Sequence, residues 1–357
     1  MNQYKILVIY PEVNDTIIAL YEFKNTSFLK SIKHPEEDLA PYNSVMDQLE
    51  YRKDLILKEM AANDISLKDI NIIVGRSGLV KPLKSGIYNI SKEMVKDLKN
   101  KVGGEHAVNL GAVLAFELGS SLGIPSIICD PVVTDELCDL ARFTGLPQVK
   151  RRSIFHALNH KHIGRKYAKS IQKEYDDLNL IIAHIGSGGV SVGAHQKGQV
   201  IDVNNAFDGN GPLSVRRAGT VPSSNLIDLC FSGDYTKEEI IDLLTNKSGY
   251  KAYLGTASLS ELDEMVNKGN EKALQISKVF AYQISKEIAS LYPVLMGEVD
   301  AIILTGFIHH SPRLVKDIKE RVEKLAPLTT IPSVQNFDAL AGNGLKVLTG
   351  EVKAKKY

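Results

Sequence analysis

A glycine-rich turn between two apolar segments carries the strongest chemical signal in the sequence. The flanking segments, 178–185 and 190–197, read as strands. The turn itself consists of Gly186, Ser187, Gly188 and Gly189. Glycine lets backbone N–H groups converge on an anion. Because two glycines would suffice for a tight hairpin, three glycines with Ser187 and the nearby His184 favour phosphate binding over a turn without a ligand.

Two arginines stand in glycine-containing loops and not on predicted helix faces. Arg76 follows a short apolar strand, and Arg217 lies within residues 214–219, which read Ser-Val-Arg-Arg-Ala-Gly. The planar guanidinium group binds phosphate or carboxylate through paired hydrogen bonds. For either arginine taken alone, a surface salt bridge explains the sequence equally well.

Three further residues stand at the ends of predicted elements, where ligands are often bound. Gly306 follows the apolar strand 299–305, the position at which open α/β sheets bind nucleotides. Asp130 ends another short strand, where it would hold Mg²⁺ through water or cap the next turn. His156 has aromatic and apolar neighbours near a helix start, so a hydrogen-bonded core histidine is the simpler interpretation. The residues alone do not decide between these alternatives.

The elements that must position these residues occur twice along the chain. Three short strands within residues 6–33 predict an antiparallel meander, and three more within residues 178–205 predict a second one. Helices and further apolar strands follow each meander. This repetition predicts an α/β fold of two duplicated lobes with a ligand-binding cleft between them.

We place the lobe boundaries from the same pattern. The first lobe takes in residues 1–149 and is completed by 337–357, and the second takes in 150–336. Within the second lobe, Ser153 is predicted to cap a helix that runs to Tyr175. The longest predicted helix spans 270–295, and its apolar face would serve either the core or an interface between subunits.

The overall composition excludes several classes of protein. The chain has 357 residues, 44% hydrophobic and 24% charged, so it can bury two ordinary cores. A formal net charge of +1 with dispersed cations argues against a nucleic-acid partner. Cys129, Cys138 and Cys230 lack metal-ligand spacing and indicate reduced thiols. Because no apolar run is long enough for a signal peptide or a membrane span, we expect a cytoplasmic protein with no membrane association.

Taken together and in this order, several stretches resemble the signatures of the acetate and butyrate kinase family, and within it the butyrate kinase branch. The stretches are 74–79 (Val-Gly-Arg-Ser-Gly-Leu), 104–112 (Gly-Glu-His-Ala-Val-Asn-Leu-Gly-Ala), 128–133 (Ile-Cys-Asp-Pro-Val-Val), 151–159, 184–195 and 202–209. The resemblance covers nearly the whole chain. It implies two ribonuclease-H-like lobes, the fold of the superfamily that also holds sugar kinases, actin and heat-shock chaperones.

The resemblance also implies an activity and a role for each candidate residue. In this family ATP, with Mg²⁺, and a short carboxylic acid give ADP and an acyl phosphate by direct in-line transfer, and the proteins form homodimers or larger homo-oligomers. By motif, Arg76 and Arg217 would bind the acid and the phosphoryl group. His156 would donate a hydrogen bond to the phosphoryl group. Asp130 would orient the water shell of Mg²⁺. The phosphate and nucleotide contacts would come from His184, Gly186, Ser187, Gly188, Gly189, Asp208 and Gly306.

The sequence departs from the family pattern at the turn after the first strand. The family usually has Asn-Pro-Gly-Ser-Thr-Ser-Thr-Lys, whereas residues 10–17 here read Tyr-Pro-Glu-Val-Asn-Asp-Thr-Ile. Tyr10, Glu12, Val13 and Asp15 therefore replace flexible backbone and donor groups. The two carboxylates are expected to oppose phosphate by about 1 kcal/mol or more each unless Mg²⁺ screens them.

Two other departures also fall on ligand-binding stretches. Asn336 aligns with a metal-associated glutamate, and Phe307 replaces the second glycine of a Thr-Gly-Gly sequence that approaches adenosine. Two interpretations follow. The chain is either an active carboxylic acid kinase with altered phosphate contacts, or a catalytically impaired paralogue retained as a binding or regulatory subunit. The retained arginines, Asp130 and His156 favour the kinase. A sugar kinase or phosphatase on the same scaffold is a remoter alternative, and the acyl chain length is left open.

Overall fold

The computed structural model describes residues 4–186, 188–333 and 337–357. The strands are β1 (Lys5–Pro11), β2 (Asp15–Glu22), β3 (Asn25–Lys33), β4 (Ile72–Gly75), β5 (Ile87–Asn89), β6 (Ser126–Cys129), β7 (Asn179–Ile185), β8 (Val190–Gln196), β9 (Gln199–Val203), β10 (Ala301–Gly306) and β11 (Leu328–Pro332). The α-helices are α1 (Glu36–Leu39), α2 (Leu49–Ala62), α3 (Lys92–Lys99), α4 (Asn109–Ser120), α5 (Asp139–Arg142), α6 (Ala157–Ser170), α7 (Ser223–Cys230), α8 (Lys237–Thr245), α9 (Gly249–Leu254), α10 (Leu259–Asn267), α11 (Glu271–Ser290), α12 (Pro312–Val322) and α13 (Phe337–Leu348). Short 3-10 helices occur at Met46–Gln48, Leu67–Asp69, Tyr175–Asp177, Pro293–Leu295 and Phe307–His310.

The described residues divide into two compact units. The first runs to Thr134 and resumes at Phe337, and the second begins at Asp135. The division therefore falls earlier than the boundary at 149 that we expected from the sequence. The segment after Asp135 bonds to strand β9 of the second unit, because Cys138 N donates to Ile201 O at 2.9 Å and Arg151 pairs with Asp202 at 2.9 Å.

The first unit is built on one mixed sheet with the order β3-β2-β1-β4-β6-β5. Strands β1, β2 and β3 form the expected antiparallel meander, and β4 and β6 extend it in parallel. Ile6 to Ile9 are fully or almost fully buried, as an apolar central strand requires. Helix α13 completes this unit as expected, since its Gly344 packs against Val74 and Ile6.

The second unit repeats this plan with the order β11-β10-β7-β8-β9. Strands β7, β8 and β9 form the second antiparallel meander, and β10 and β11 continue the sheet in parallel. The duplicated α/β architecture predicted from the two meanders is therefore present in both units.

Helix α6 begins later than the sequence suggested. Ser153 is not its cap, because Ile154 and Phe155 are buried in an irregular segment ahead of the helix and Ala206 N donates to Ile154 O at 2.9 Å. His156 instead stands at the N-cap position, directly before Ala157. The helix also ends at Ser170, ahead of Tyr175.

The long helix α11 has an apolar face that packs within the second unit. Asn270 caps it by accepting from Ala273 N at 2.9 Å. Phe280, Ile284 and Ile288 are fully buried in the core of this unit, so core packing accounts for that face without an interface. Among the residues that the structure describes, no helix is long and apolar enough to cross a membrane.

A buried arginine holds the altered turn between β1 and β2. Arg52, on α2, is 0% exposed. Its guanidinium donates to the carbonyl groups of Glu12 and Val13 at 2.8 Å and of Asp15 at 3.1 Å. It also donates to Thr16 Oγ1 at 3.1 Å. Burial lowers the pKa of Arg52 to about 10, so the group is still charged at neutral pH and the turn is held by charge-assisted hydrogen bonds.

We predict that Arg52→Met lowers the free energy of unfolding by about 3 kcal/mol or more, because several turn carbonyls lose their donor. Chemical denaturation measures this loss. Lys58→Met, at an exposed position of the same helix, is the control and should change stability by less than about 0.5 kcal/mol. Equal stability of the two variants would show that Arg52 does not hold the turn.

Candidate active site

The glycine turn of the second unit joins β7 to β8, which pair with Ile185 opposite Val190. Gly186 N donates to Gly189 O at 2.9 Å and closes the turn. A methyl group on Gly186 would lie 2.8 Å from His156 Nε2, and one on Gly189 would lie 2.6 Å from Arg217 Nη1. The structure therefore brings His156 and Arg217 to the same turn, and glycine is needed there because both side chains approach the backbone. Ser187 lies outside the described residues.

Arg217 reaches the turn from a loop that is itself bonded to it. Ser214 Oγ donates to Gly188 O at 2.9 Å and accepts from Arg217 N at 3.2 Å. The guanidinium donates to Ala206 O through Nη1, and its central carbon lies 5.1 Å from the Phe207 ring centroid. Packing against an aromatic face fixes the plane of the guanidinium, so the cation is oriented beside the turn.

His156 approaches the turn at Gly186, and a second histidine packs against the His156 ring. His156 Nδ1 is 2.8 Å from Ser191 Oγ, and its ring centroid is 4.5 Å from that of His184. His184 is only 2% exposed, and Asn159 Nδ2 lies 3.0 Å from its Nε2. Burial lowers the pKa of His184 to about 3, so this ring is neutral. The phosphate contact expected of His184 stays a prediction.

Gly306 lies against the start of the same turn. It pairs with Ile185 across β10 and β7, has φ +89°, and would place a methyl group 2.2 Å from Ile185 O. Only glycine fits this close approach. Phe307, which replaces the expected glycine, packs in part against the core of the second unit, and its ring centroid is 5.9 Å from that of His310.

The loop after β9 is bonded to strand β8, directly after the turn, through a buried asparagine. Asn204 Oδ1 accepts from Val192 N at 2.7 Å, and Asn204 Nδ2 donates to Val190 O at 3.0 Å. Asp208, expected to contact nucleotide, is exposed in this loop and accepts from Asn205 Nδ2 at 2.8 Å. Its role stays a prediction.

In the first unit, Arg76 is surrounded by the altered turn. Its Nη1 donates to Pro11 O at 3.0 Å and lies 3.6 Å from Glu12 Oε1. The guanidinium carbon lies 4.1 Å from the centroid of the Tyr10 ring. Burial raises the pKa of Tyr10, and the positive charge of Arg76 acts in the opposite direction but with a smaller effect. The phenol is therefore neutral. Arg76 is thus stacked on one replaced residue and paired with another.

The second carboxylate of the altered turn points elsewhere. Asp15 Oδ2 accepts from Ser31 Oγ at 3.0 Å and from Lys33 Nζ at 2.9 Å. A lysine on β3 therefore pairs with Asp15, and the expected opposition of Asp15 to phosphate stays a prediction. Val13, also replaced, is exposed. Asn336 lies outside the described residues.

Asp130 follows β6 in an unusual backbone conformation, with φ +37°. Its Oδ1 accepts from Ser85 Oγ at 2.6 Å and from Gly86 N at 2.9 Å. Among the described residues no cluster of three or more His, Cys, Asp or Glu side chains could hold a metal ion by itself. A single oriented carboxylate fits Mg²⁺ that keeps its water shell and is bound mainly by substrate phosphate.

Sequence reasoning missed two groups of buried residues that support these side chains. One is Arg52, beneath the β1–β2 turn. The other links Ser191 and His195 of β8 to His160 of α6. The spacing held a signal for the second group, since His156 and His160 stand four residues apart at a helix start, and Ser191 and His195 stand on one face of a strand. No comparable spacing marks Arg52.

Comparisons with known proteins show which proteins this chain is similar to. The acetokinase family profile matches residues 147–335. A probable butyrate kinase of Clostridium botulinum is 45% identical over 354 residues, 99% of each chain. Butyrate kinase 2 of Clostridium acetobutylicum is 43% identical over 355 residues, again 99% of each chain.

Two solved structures share the fold at low identity. Acetate kinase of Porphyromonas gingivalis superposes with a TM-score of 0.77 at 19% identity, covering 97% of this chain and 100% of that one. A propionate kinase of Francisella tularensis gives 0.76 at 17% identity, with 95% and 98% covered. The fold is thus the actin-like ATPase fold that the resemblance implied. The match of the family profile and the two full-length relatives show that this chain belongs to the acetokinase family.

Proposed function

We propose that this chain is a butyrate-kinase-type phosphotransferase that converts ATP and a short-chain carboxylate into ADP and an acyl phosphate. The observation that carries the proposal is the identity of 45% and 43% to proteins named as butyrate kinases, over 99% of the chain. The convergence of His156 and Arg217 on one glycine turn supports it independently. The relatives favour an active kinase, and they lend no support to an impaired paralogue.

The reaction needs positioning and charge neutralisation more than covalent participation by the protein. A carboxylate oxygen attacks the γ-phosphorus of ATP in line, the bond to the β-phosphate oxygen breaks, and ADP leaves. We assign Arg217 to the oxygens of the transferring phosphoryl group, because its guanidinium is oriented beside the turn. His156 Nε2 faces the same turn and adds a second contact to these oxygens. Arg76 is assigned to the acid and the phosphoryl group.

The remaining assignments concern the nucleotide and its metal. Backbone N–H groups of the glycine turn hold phosphate, and Gly306 borders adenosine because its backbone has no side chain in the way. Mg²⁺ bound to the nucleotide supplies positive charge to the phosphate oxygens. Asp130 would hold the water shell of that ion through its carboxylate, which accepts from Ser85 Oγ and Gly86 N.

Location and assembly complete the proposal. The described chain has three free cysteines, Cys129, Cys138 and Cys230, which supports a reducing compartment and hence the cytoplasm.

A homodimer or larger homo-oligomer is proposed from the family. Large apolar side chains that are exposed in the second unit support such an assembly, among them Leu140, Phe143 and Phe231.

We predict that Arg217→Ala lowers kcat/KM about 100-fold or more, because a donor to the transition state is lost. Trapping acyl phosphate as hydroxamate, with ATP, Mg²⁺ and straight and branched acids of two to five carbons, measures this. Arg216→Ala is the matched control, since the neighbouring Arg216 is exposed, and it should retain activity. A folded wild-type protein that binds ATP but forms no acyl phosphate would contradict the proposal and favour the impaired paralogue.

We also predict that Glu12→Gln lowers the KM for the acid about two- to fivefold. The carboxylate of Glu12 lies 3.6 Å from Arg76 Nη1 and competes with an anionic substrate for it. The pair is partly exposed, so its worth is about 0.2–1 kcal/mol. The same assay applies, with Glu37→Gln at an exposed site as control. An unchanged or higher KM would exclude competition by Glu12.

A further inference from the structure

A buried chain of hydrogen-bonding groups leads from Tyr175 to His156 inside the second unit. Tyr175 Oη lies 2.6 Å from His195 Nδ1, and His195 Nε2 lies 3.1 Å from His160 Nδ1. His160 Nε2 lies 2.9 Å from Ser191 Oγ, which lies 2.8 Å from His156 Nδ1. His195, His160 and Ser191 are 0% exposed and Tyr175 is 6% exposed. The chain is therefore shielded from water except near its His156 end.

The direction of hydrogen bonding is set at the tyrosine end. A distance of 2.6 Å lies below the range of N–H···O hydrogen bonds, about 2.7–3.2 Å, which argues against an imidazole N–H that donates to the phenol oxygen. The phenol is also the more acidic partner, with an ordinary pKa of about 10. Tyr175 Oη therefore donates its hydrogen to His195 Nδ1.

The two inner histidines can each donate only one hydrogen. Burial lowers the pKa of His160 and of His195 well below the ordinary value. The positive charge of Lys161, which is paired with Glu136 at 2.6 Å, acts in the same direction. Both rings are therefore neutral, and a neutral imidazole carries one N–H and one bare acceptor nitrogen.

The hydrogens can then be assigned in sequence along the chain. Since His195 Nδ1 accepts, His195 Nε2–H donates to His160 Nδ1. His160 must then donate from Nε2 to Ser191 Oγ. Ser191 has a single hydrogen, and it donates that hydrogen to His156 Nδ1. His156 consequently carries its own hydrogen on Nε2, the atom that faces Gly186.

We propose that Tyr175, His195, His160 and Ser191 are positioning residues that fix His156 in the Nε2–H tautomer. His156 then presents a hydrogen-bond donor to the glycine turn. The opposite tautomer would present a lone pair to the phosphoryl oxygens, which are themselves acceptors. The benefit of this donor to catalysis rests on the proposed kinase function, whereas the assignment of the tautomer does not rest on it.

The isosteric variant Tyr175→Phe removes the donor at the head of the chain. The ring should keep its place, because it packs against Gly164 of α6, where a methyl group would lie 2.4 Å from the ring. Without the phenol hydrogen, nothing determines which nitrogen of His195 carries the hydrogen. The hydrogen bonds of the chain can then run in either direction. Tyr167→Phe removes a phenol of α6 that takes no part in the chain and serves as the control.

The test is long-range proton–nitrogen NMR on the full chain with 15N-labelled histidine, with signals assigned through single histidine substitutions. We expect His156, His160 and His195 all to be Nε2–H in the wild type. In Tyr175→Phe the His156 signals should move partly or wholly toward Nδ1–H, and kcat should fall about three- to tenfold with little change in KM. Tyr167→Phe should change neither.

A wild-type spectrum with His156 in the Nδ1–H form would overturn the proposal without any variant. A Tyr175→Phe spectrum with His156 still fully Nε2–H would show that the chain does not set the tautomer. NMR detects the tautomer without any turnover by the protein. An inactive protein with the expected spectra would therefore contradict the proposed kinase function but not the proposed role of the positioning residues.

Discussion

The absence of side chains at Gly186 and Gly189, in the turn between β7 and β8, is the constraint on which the site in the second unit depends. Methyl groups at Gly186 and Gly189 would lie within 3 Å of His156 and Arg217, closer than carbon and nitrogen atoms approach without a bond. The same turn receives Gly306 from β10 and is tied to the arginine loop by Ser214. Small residues and close backbone approach therefore bring a cation and a histidine to one glycine turn, which is the phosphate site that we propose.

The corresponding turn of the first unit is organised in a different way. Its glycine and hydroxyl residues are replaced, and its carbonyl groups are occupied by the buried guanidinium of Arg52. What the turn presents instead is the Tyr10 ring and the Glu12 carboxylate, both directed at Arg76. The change from the family pattern thus alters how Arg76 is held, while the turn itself stays firmly bonded.

Much of the fold could be predicted from periodicity, because apolar strands such as 6–10 and 178–185 are stopped by turn residues and repeat along the chain. The start of α6 could not, since Ser153 is a good cap by type, and the burial of Ile154 and Phe155 with the hydrogen bond from Ala206 N to Ile154 O keeps that segment out of the helix. The end of the first unit was also missed, because long-range bonds from Cys138 and Arg151 decide it.

In the candidate site, too, part of the arrangement could be predicted from the sequence and part could not. Glycine spacing identified the turn, whereas the Lys33 partner of Asp15 and the order of hydrogen bonds behind His156 depend on strand register, which the sequence does not state.

The most direct measurement of the central claim is phosphorus NMR of ATP, Mg²⁺ and butyrate with the Gly189→Ala and Gly145→Ala variants. Gly145 has no neighbouring atom within 4 Å of an added methyl group, so that variant should convert ATP to ADP and acyl phosphate in equal amounts, as the wild type does. The methyl group of Gly189→Ala crowds Arg217 Nη1 and the carbonyl oxygen of Ala206 to which Arg217 donates, so this variant should lose acyl phosphate formation while staying folded. Undiminished formation by Gly189→Ala would contradict the account, because the close approach of Arg217 to the turn would then be irrelevant to the chemistry.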